Sequence, residues 1–458
     1  MEEARFTGEE LLRATGGAWI GGREPSTACG VFTDSRVRGD GKLFLALAGE
    51  RFDGHDHLAA AVAAGAGALC IERGKQDRLP AGELPPVLLV EDTLRAFQRI
   101  AGFHRNRFPG LCVAGVTGSV GKTSVKEMLR AIFSEAAGAE HVLYTLGNTN
   151  NQVGVPQNLL RLTPACRYAV IEMGTNHHGE IEPLSRIARP QAALVNSIAP
   201  CHLEFLGDLT GVAREKAHIF DGLESGGVAV IPQDAPAVET LLAGAGDHPV
   251  LRFGEGESAA VCCRYLGGNL RGSSFELKFA GGERFTVRWP LSGRHQALNA
   301  AAAATLAEAV GIAPAVIVSG LVKTELPGMR SRIVELDGVT YVNDAYNANP
   351  RSMRAAFDYL AEFADPARLL LVLGEMYELG DCSAAEHQAL LREARERFPG
   401  CRIVAIGAAF DPVAGVTGAA DSRKAFAEVE KLTRPGDLVF AKGSRGVAVE
   451  LALPEAVR

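Results

Sequence analysis

At 458 residues the chain is longer than one hydrophobic core supports, and about three domains are expected. A hydrophobic fraction of 47% with 22% charged residues is that of a globular protein, and a net charge of −7 excludes a general nucleic-acid binder. Nine scattered cysteines with no C-x-x-C pair argue against a zinc site and for a reduced, cytoplasmic setting. The acidic, polar residues 1–12 do not read as a signal peptide, and the alanine-rich stretch 300–310 is too short to span a bilayer.

Residues 1–107 read as a small α/β unit, with strands over 31–33, 43–46, 68–71 and 87–90 and helices over 57–64 and 93–107. Two polar turns, 33–36 and 49–56, separate them. Ser35 and Arg36 suit a phosphate or uridine diphosphate group, because Arg meets phosphate oxygens through two parallel hydrogen bonds. A plain solvated turn has the same composition. Phe108-Pro109-Gly110 reads as a linker.

The second unit, 108–325, is organised around residues 111–129, LCVAGVTGSVGKTSVKEML. A β-branched apolar run predicts a buried parallel strand over 111–116, and a helix opens at Lys122. Between them Gly115, Gly118 and Gly121 flank Ser119 and Val120, and Lys122, Thr123 and Ser124 follow. Strand, glycine turn, Gly-Lys-Thr and helix make a phosphate cradle. Backbone N–H groups approach the phosphates, Lys122 reaches the outer ones and Thr123 ligates magnesium. The usual first glycine would fall at Val116, so the spacing here is G-x-x-G-x-x-G-K-T.

The following loop, 144–156, carries Asn148, Asn150 and Asn151, which form local turns or offer amides to a sugar or peptide. A strand over 168–171 ends in Glu172, where a magnesium ligand belongs in a phosphate-binding sheet. A strand over 192–197 leads to His202 on the same rim. In a helix over 211–223, Lys216 falls within the apolar stripe of Val212, Ile219 and Leu223. Such a lysine snorkels out or is buried. A buried, neutral amine takes up carbon dioxide, and the carbamate is an oxygen ligand for magnesium. Strands over 228–231 and 250–253, a hairpin excursion over 258–289 and an alanine-rich helix follow. Asn299 at the start of that helix faces an adenine edge or caps a core helix.

The third unit, 326–458, has strands over 332–336, 339–343, 369–373, 403–406 and 438–441, implying a second open sheet. Polar clusters sit at the strand ends: Asp344, Tyr346, Asn347 and Asn349; residues 374–378; and Lys442, Ser444 and Arg445. Asn349-Pro350 also fits a helix N-cap and first turn.

Together these segments resemble the Mur ligases, ATP-dependent enzymes that build the peptide of bacterial cell-wall precursors. The resemblance rests on TDSR (33–36), GERFDGH (49–55), GVTGSVGKTSVKEM (115–128), GNTNNQVGVP (147–156), IEMGTNHHGEIEPL (171–184), REKAHIF (214–220), GRHQALNAAAA (293–303), GMRSRIVEL (328–336), NDAYNANPRSM (343–353), GEMYELG (374–380) and KGSR (442–445). NTNNQVGVP and DAYNANP are most similar to the branch that adds D-alanyl-D-alanine to UDP-N-acetylmuramoyl-tripeptide. The resemblance implies an α/β protein of three domains: a small UDP-binding domain, a central parallel-sheet ATPase domain and a C-terminal Rossmann-like domain. It implies ATP and Mg2+ as cofactors, with Glu172, His202 and carbamylated Lys216 joining Thr123 as metal ligands and Lys122 holding phosphates. Asn299, Arg330 and Asp344 would contact the nucleotide. Ser35 and Arg36 would bind the UDP end, with Asn148, Asn150 and Asn151 toward the sugar. Tyr346, Asn347, Asn349 and the 442–445 loop would lie near the acceptor. A monomer acting in the cytoplasm is expected, with no nucleic-acid partner and no membrane insertion. The rival readings are a related ligase taking another amino acid or a folate, and a phosphate-loop switch that ligates nothing.

Overall fold

A computed structural model of the chain describes residues 4–27, 29–49, 52–410 and 413–458. Residues 1–3, within the polar N-terminal stretch, and Glu50 and Arg51 of the 49–56 turn lie outside the described residues. The architecture is α/β, with three main sheets of five, nine and six strands and a separate two-stranded ribbon.

The first sheet runs in the order Ala18–Trp19, Val87–Val90, Ala68–Glu72, Leu43–Leu45, Val31–Phe32. All neighbours are parallel except the Ala18–Trp19 edge. The sequence reading missed that edge and the preceding helix Gly8–Thr15. Its start was nevertheless written as T-x-x-E: Thr7 accepts from Glu10 N and Glu10 accepts from Thr7 N, a capping box. Helix Thr93–Arg105 joins this unit to the next. Arg105 is buried and donates to Ala188 O at 3.0 Å, Arg189 O at 3.2 Å and Phe108 O at 2.8 Å, so a cation meets the carbonyls at a helix C-terminus.

In the second sheet the strand of the glycine loop, Cys112–Thr117, lies between Tyr168–Glu172 and Ala192–Val195. Val142–Tyr144 is the edge beyond Tyr168–Glu172, and Val228–Pro232 and Val250–Gly254 extend the other side, all parallel. The order therefore reverses beside Cys112–Thr117, which opens a crevice at its carboxyl end. Alternate strand residues divide between two cores. Ala114 and Val116 pack under helices Lys122–Ala137 and Arg294–Ala309, and Val113 packs with Ile181, Leu184 and Ala213 on the opposite face. The alanines let the helices approach closely, and a Cβ on Gly320 of helix Pro314–Val322 would sit 2.5 Å from Ile132 Cα.

Residues 258–289 are not a separate excursion. Strands Val261–Asn269, Gly272–Lys278 and Arg284–Trp289 continue the same sheet, because Phe253 and Gly254 pair in parallel with Val261 and Cys262. Two helices also differ from expectation. Helix Gly154–Leu159 begins inside the predicted 144–156 loop, and the predicted 211–223 helix is an α-helix over Leu209–Ala217 that tightens to a 3-10 turn over His218–Gly222.

The third sheet has the order Arg332–Leu336, Val339–Asn343, Leu438–Lys442, Leu369–Gly374, Arg402–Ile406, Thr417–Ala419. The first pair is antiparallel and the rest parallel, with cores on both faces. The short edge Thr417–Ala419 carries no apolar run and was not anticipated.

Candidate active site

The carboxyl ends of the second and third sheets face one cavity of about 1050 Å³. Ser119, Val120, Gly121, Lys122, Thr123 and Ser124 line it from one side with Asn148, Asn150, Asn151, Glu172, His202 and Asn299. Arg330, Asp344, Tyr346, Asn347, Asn349 and Lys442 line it from the other. Residues from distant parts of the chain are thus gathered where open parallel sheets bind ligands.

The glycine loop is held open by its neighbours. Gly118 and Gly121 have φ of 148° and 84°, and a Cβ on Gly121 would run into the side-chain amides of Asn196 and Asn299. Asn196 Nδ2 donates to Val120 O at 2.9 Å and to Asn299 Oδ1 at 2.8 Å, while Val120 N donates to Ser197 Oγ at 2.9 Å. The predicted strand over 192–197 hid these two residues. The strand stops at Val195, which frees Asn196 and Ser197 to clamp the loop. Lys122 donates to Gly118 O at 2.7 Å, folding back over the cradle that phosphates would fill.

Glu172 is 1% exposed at the end of its strand. Its Oε1 accepts from Asn150 Nδ2 at 2.7 Å and from the Thr123 hydroxyl at 3.3 Å. Its Oε2 is buried and has no hydrogen-bond partner among the described residues. An orphaned carboxylate oxygen beside a threonine hydroxyl is a hard-oxygen donor pair, and it fits a magnesium ion.

His202 and Lys216 complete the predicted metal group in different ways. His202 lines the cavity, and its Nδ1 lies 2.5 Å from Glu378 Oε2, which comes from the third sheet's side. The imidazole holds the Glu378 carboxyl below its ordinary value. Lys216 is 1% exposed and does not line the cavity. Burial lowers its pKa to about 8; the Lys122 charge adds to the fall, and Cys201 and Glu215 oppose it. The neighbouring Glu215 is also buried and accepts from the backbone N–H groups of Gly179, Glu180 and Ile181 at 2.7 to 3.0 Å, fixing the loop after Glu172.

On the third-sheet side Lys442 donates to Asp344 Oδ2 at 2.6 Å and to Asn347 O at 3.0 Å. Asp344 Oδ1 accepts from Ser331 N at 3.0 Å, and the Arg330 guanidinium stacks 3.6 Å from the Tyr346 ring centroid. Asn349 caps helix Pro350–Ala361. Arg351 in its first turn lines the cavity and donates across to Ile198 O at 2.8 Å.

Besides Lys216 and Gly118, four predicted residues lie outside this cavity's lining. Ser444 is buried, donating to Ala348 O and accepting from Tyr377 N, so its hydroxyl holds two loops together. Arg445 pairs with Glu450 at 2.6 Å. Ser35 and Arg36 line no described cavity; Arg36 pairs with Asp34 of its own turn at 2.7 Å and is 86% exposed. A second cavity of about 560 Å³ lies alongside, lined by Asp34, Lys42 and Arg161 with apolar Phe32 and Phe97. His295, also missed, lines the main cavity, and burial lowers its pKa to about 4.

Three family models match the chain: the Mur ligase family catalytic domain over residues 28–105, the Mur ligase middle domain over 116–307, and the Mur ligase glutamate ligase domain over 329–445. The UDP-N-acetylmuramoyl-tripeptide–D-alanyl-D-alanine ligase of Escherichia coli (strain K12) is 39% identical over 428 residues, covering 92% of this chain and 92% of that protein. The chain belongs to the Mur ligase family. Among solved Mur ligases, MurF from Acinetobacter baumannii matches with a TM-score of 0.91 at 33% identity, covering 99% of this chain and 98% of that one. MurF from Thermotoga maritima in complex with ADP matches with a TM-score of 0.80 at 26% identity, covering 92% of this chain and 95% of that one. The three-glycine spacing that departs from the usual phosphate loop is thus found in a Mur ligase.

Proposed function

We infer that the protein is an ATP-dependent ligase that joins D-alanyl-D-alanine to UDP-N-acetylmuramoyl-tripeptide, a step in peptidoglycan precursor synthesis. The observation that carries this reading is the single cavity shared by two parallel sheets, with the Lys122 cradle on one wall and the Asp344–Lys442 pair on the other. We further propose the division into domains over 1–107, 108–325 and 326–458, and a monomer working in the cytoplasm. Among the described residues no helix is long and apolar enough to cross a membrane.

A carboxylate does not condense with an amine in water, because it is a poor electrophile. In this reading the tripeptide carboxylate oxygen attacks the ATP γ-phosphorus, the bond to the β-phosphate oxygen breaks, and ADP leaves. The dipeptide amine then attacks the acyl carbon, the acyl–oxygen bond breaks, inorganic phosphate leaves, and the nitrogen gives up its proton. Lys122 and the loop N–H groups offset charge on the transferred phosphoryl group. Thr123, Glu172, His202 and Lys216 as its carbamate would hold Mg2+, which supplies Lewis-acid stabilisation of the phosphate oxygens. Asn299, Arg330 and Asp344 meet the nucleotide. Tyr346, Asn347 and Asn349 lie toward the acceptor, and the 442–445 loop supports them. Holding three reactants in register is worth up to roughly 7–11 kcal/mol, and closure of the C-terminal unit over the cavity would keep water from the acyl phosphate.

An ADP-release assay tests the reading. With UDP-N-acetylmuramoyl-tripeptide and ATP, release should require D-alanyl-D-alanine and should fail with single amino acids. Acceptor-independent hydrolysis, or equal turnover with a single amino acid, would refute it.

A further inference from the structure

His202 and Glu378 touch at 2.5 Å across the gap between the second and third sheets, although they stand far apart in the chain. Both have left-handed backbone, with φ of 52° and 62°, which non-glycine residues seldom adopt. Strain at both ends of one contact marks a geometry that the surroundings enforce. The enforcing bonds are present. On one side the His202 carbonyl accepts from Phe205 N and Leu206 N at 3.0 and 2.9 Å. On the other, Met376 N donates to the buried His387 at 2.9 Å, Tyr377 N donates to Ser444 Oγ at 2.9 Å, and Ser444 N donates to Glu375 O at 2.9 Å. Ser444 thus holds the loop that presents Glu378.

We propose that Glu378 is a positioning residue for His202, delivered by the C-terminal unit when the cleft closes. As the ring stands the approach is an ion-pair contact without hydrogen-bond alignment; once ring and carboxylate align, a carboxylate on Nδ1 fixes that nitrogen as the proton-bearing one and leaves the Nε2 lone pair for a metal ion. The metal site on the central unit is then complete only with the C-terminal unit in place, which ties ion binding to closure. This inference rests on the assignment of His202 to the metal group in the ligase reading.

The test uses the full-length protein with Mn2+ as the probe, followed by electron paramagnetic resonance in the presence of a non-hydrolysable ATP analogue. Glu378→Ala should weaken Mn2+ binding at least about tenfold, the scale of losing a carboxylate behind a ligating histidine. It should also raise the Mg2+ concentration needed for half-maximal turnover and lower kcat, with the KM for the UDP-peptide unchanged. Glu378→Gln, which keeps the shape and one acceptor oxygen, should recover part of the Mn2+ affinity. Tyr265→Phe removes a different bond between the units, from the Tyr265 hydroxyl to Glu362 at 2.6 Å, and should leave Mn2+ affinity unchanged. Wild-type Mn2+ affinity in Glu378→Ala would overturn the proposal. An equal loss in Tyr265→Phe would also overturn it, since closure alone would then explain the effect. ADP release by the wild type judges the ligase reading separately.

Discussion

Lys216 shows what burial does to one amine. Its ordinary pKa of 10.5 falls to about 8 because the folded protein penalises the charged form. Between pH 8 and 10.5 the unfolded chain holds a proton that the folded chain does not, so stability rises with pH through that window. Below about pH 8 the penalty is present in full, and the gap corresponds to roughly 3 kcal/mol. Lys216→Met removes the buried charge while filling the same space, so it should raise the melting temperature at pH 6 to 7 while losing ligation. The carbamate has its own signature. Uptake of 13C-labelled carbon dioxide, read by NMR, should climb toward pH 8, level off above it, and vanish in Lys216→Met. A signal that survives the substitution, or one indifferent to pH, would remove the carbamate from the mechanism.

The glycine turn and the helix after it act as one element. Gly121 sits at the N-cap of helix Lys122–Ala137 with φ of 84°, and the Asn196 and Asn299 amides fill the space where a Cβ would go. Gly121→Ala should therefore abolish binding of an ATP analogue by calorimetry, while left-handed strain costs about 1–2 kcal/mol of stability. This element was legible in the sequence because its signals are local: a β-branched run, glycines at the turn and Lys-Thr at the helix start. The strand ends at Glu172, Asp344 and Lys442 were legible for the same reason, since a short apolar run stops at a polar residue. What was not legible depends on non-local choices. A single parallel pairing at Phe253 and Val261 turns a hairpin into a continuation of the main sheet. The Glu378 contact joins two loops that no periodicity links.

At the scale of the whole molecule the two junctions between units are built differently, and that difference predicts which of them moves. The first is a shared core. Val153 and Leu160 of the central unit pack into the N-terminal cluster, His104 meets Leu162 O at 3.0 Å, and Arg105 bonds Ala188, Arg189 and Phe108 carbonyls. The second is a smaller set of contacts: Arg351 to Ile198 O, His202 to Glu378, Tyr265 to Glu362, Leu270 against the C-terminal cluster, and a short approach of helix Pro350–Ala361 to helix Arg294–Ala309. Exchanging so few contacts for water costs little, so the C-terminal unit is the part expected to swing while the N-terminal pair stays rigid. Two substitutions should separate these roles. Arg105→Met takes the side-chain donor from the buried Ala188 carbonyl, at about 1–3 kcal/mol, and should lower the melting temperature of the whole protein. Arg351→Ala should leave the melting temperature nearly unchanged. It should enlarge the radius of gyration seen by small-angle scattering with nucleotide bound, and lower kcat while sparing the KM for the UDP-peptide. If Arg351→Ala proved the more destabilising of the two and left the scattering profile as it was, the hinge would have to lie at the other junction.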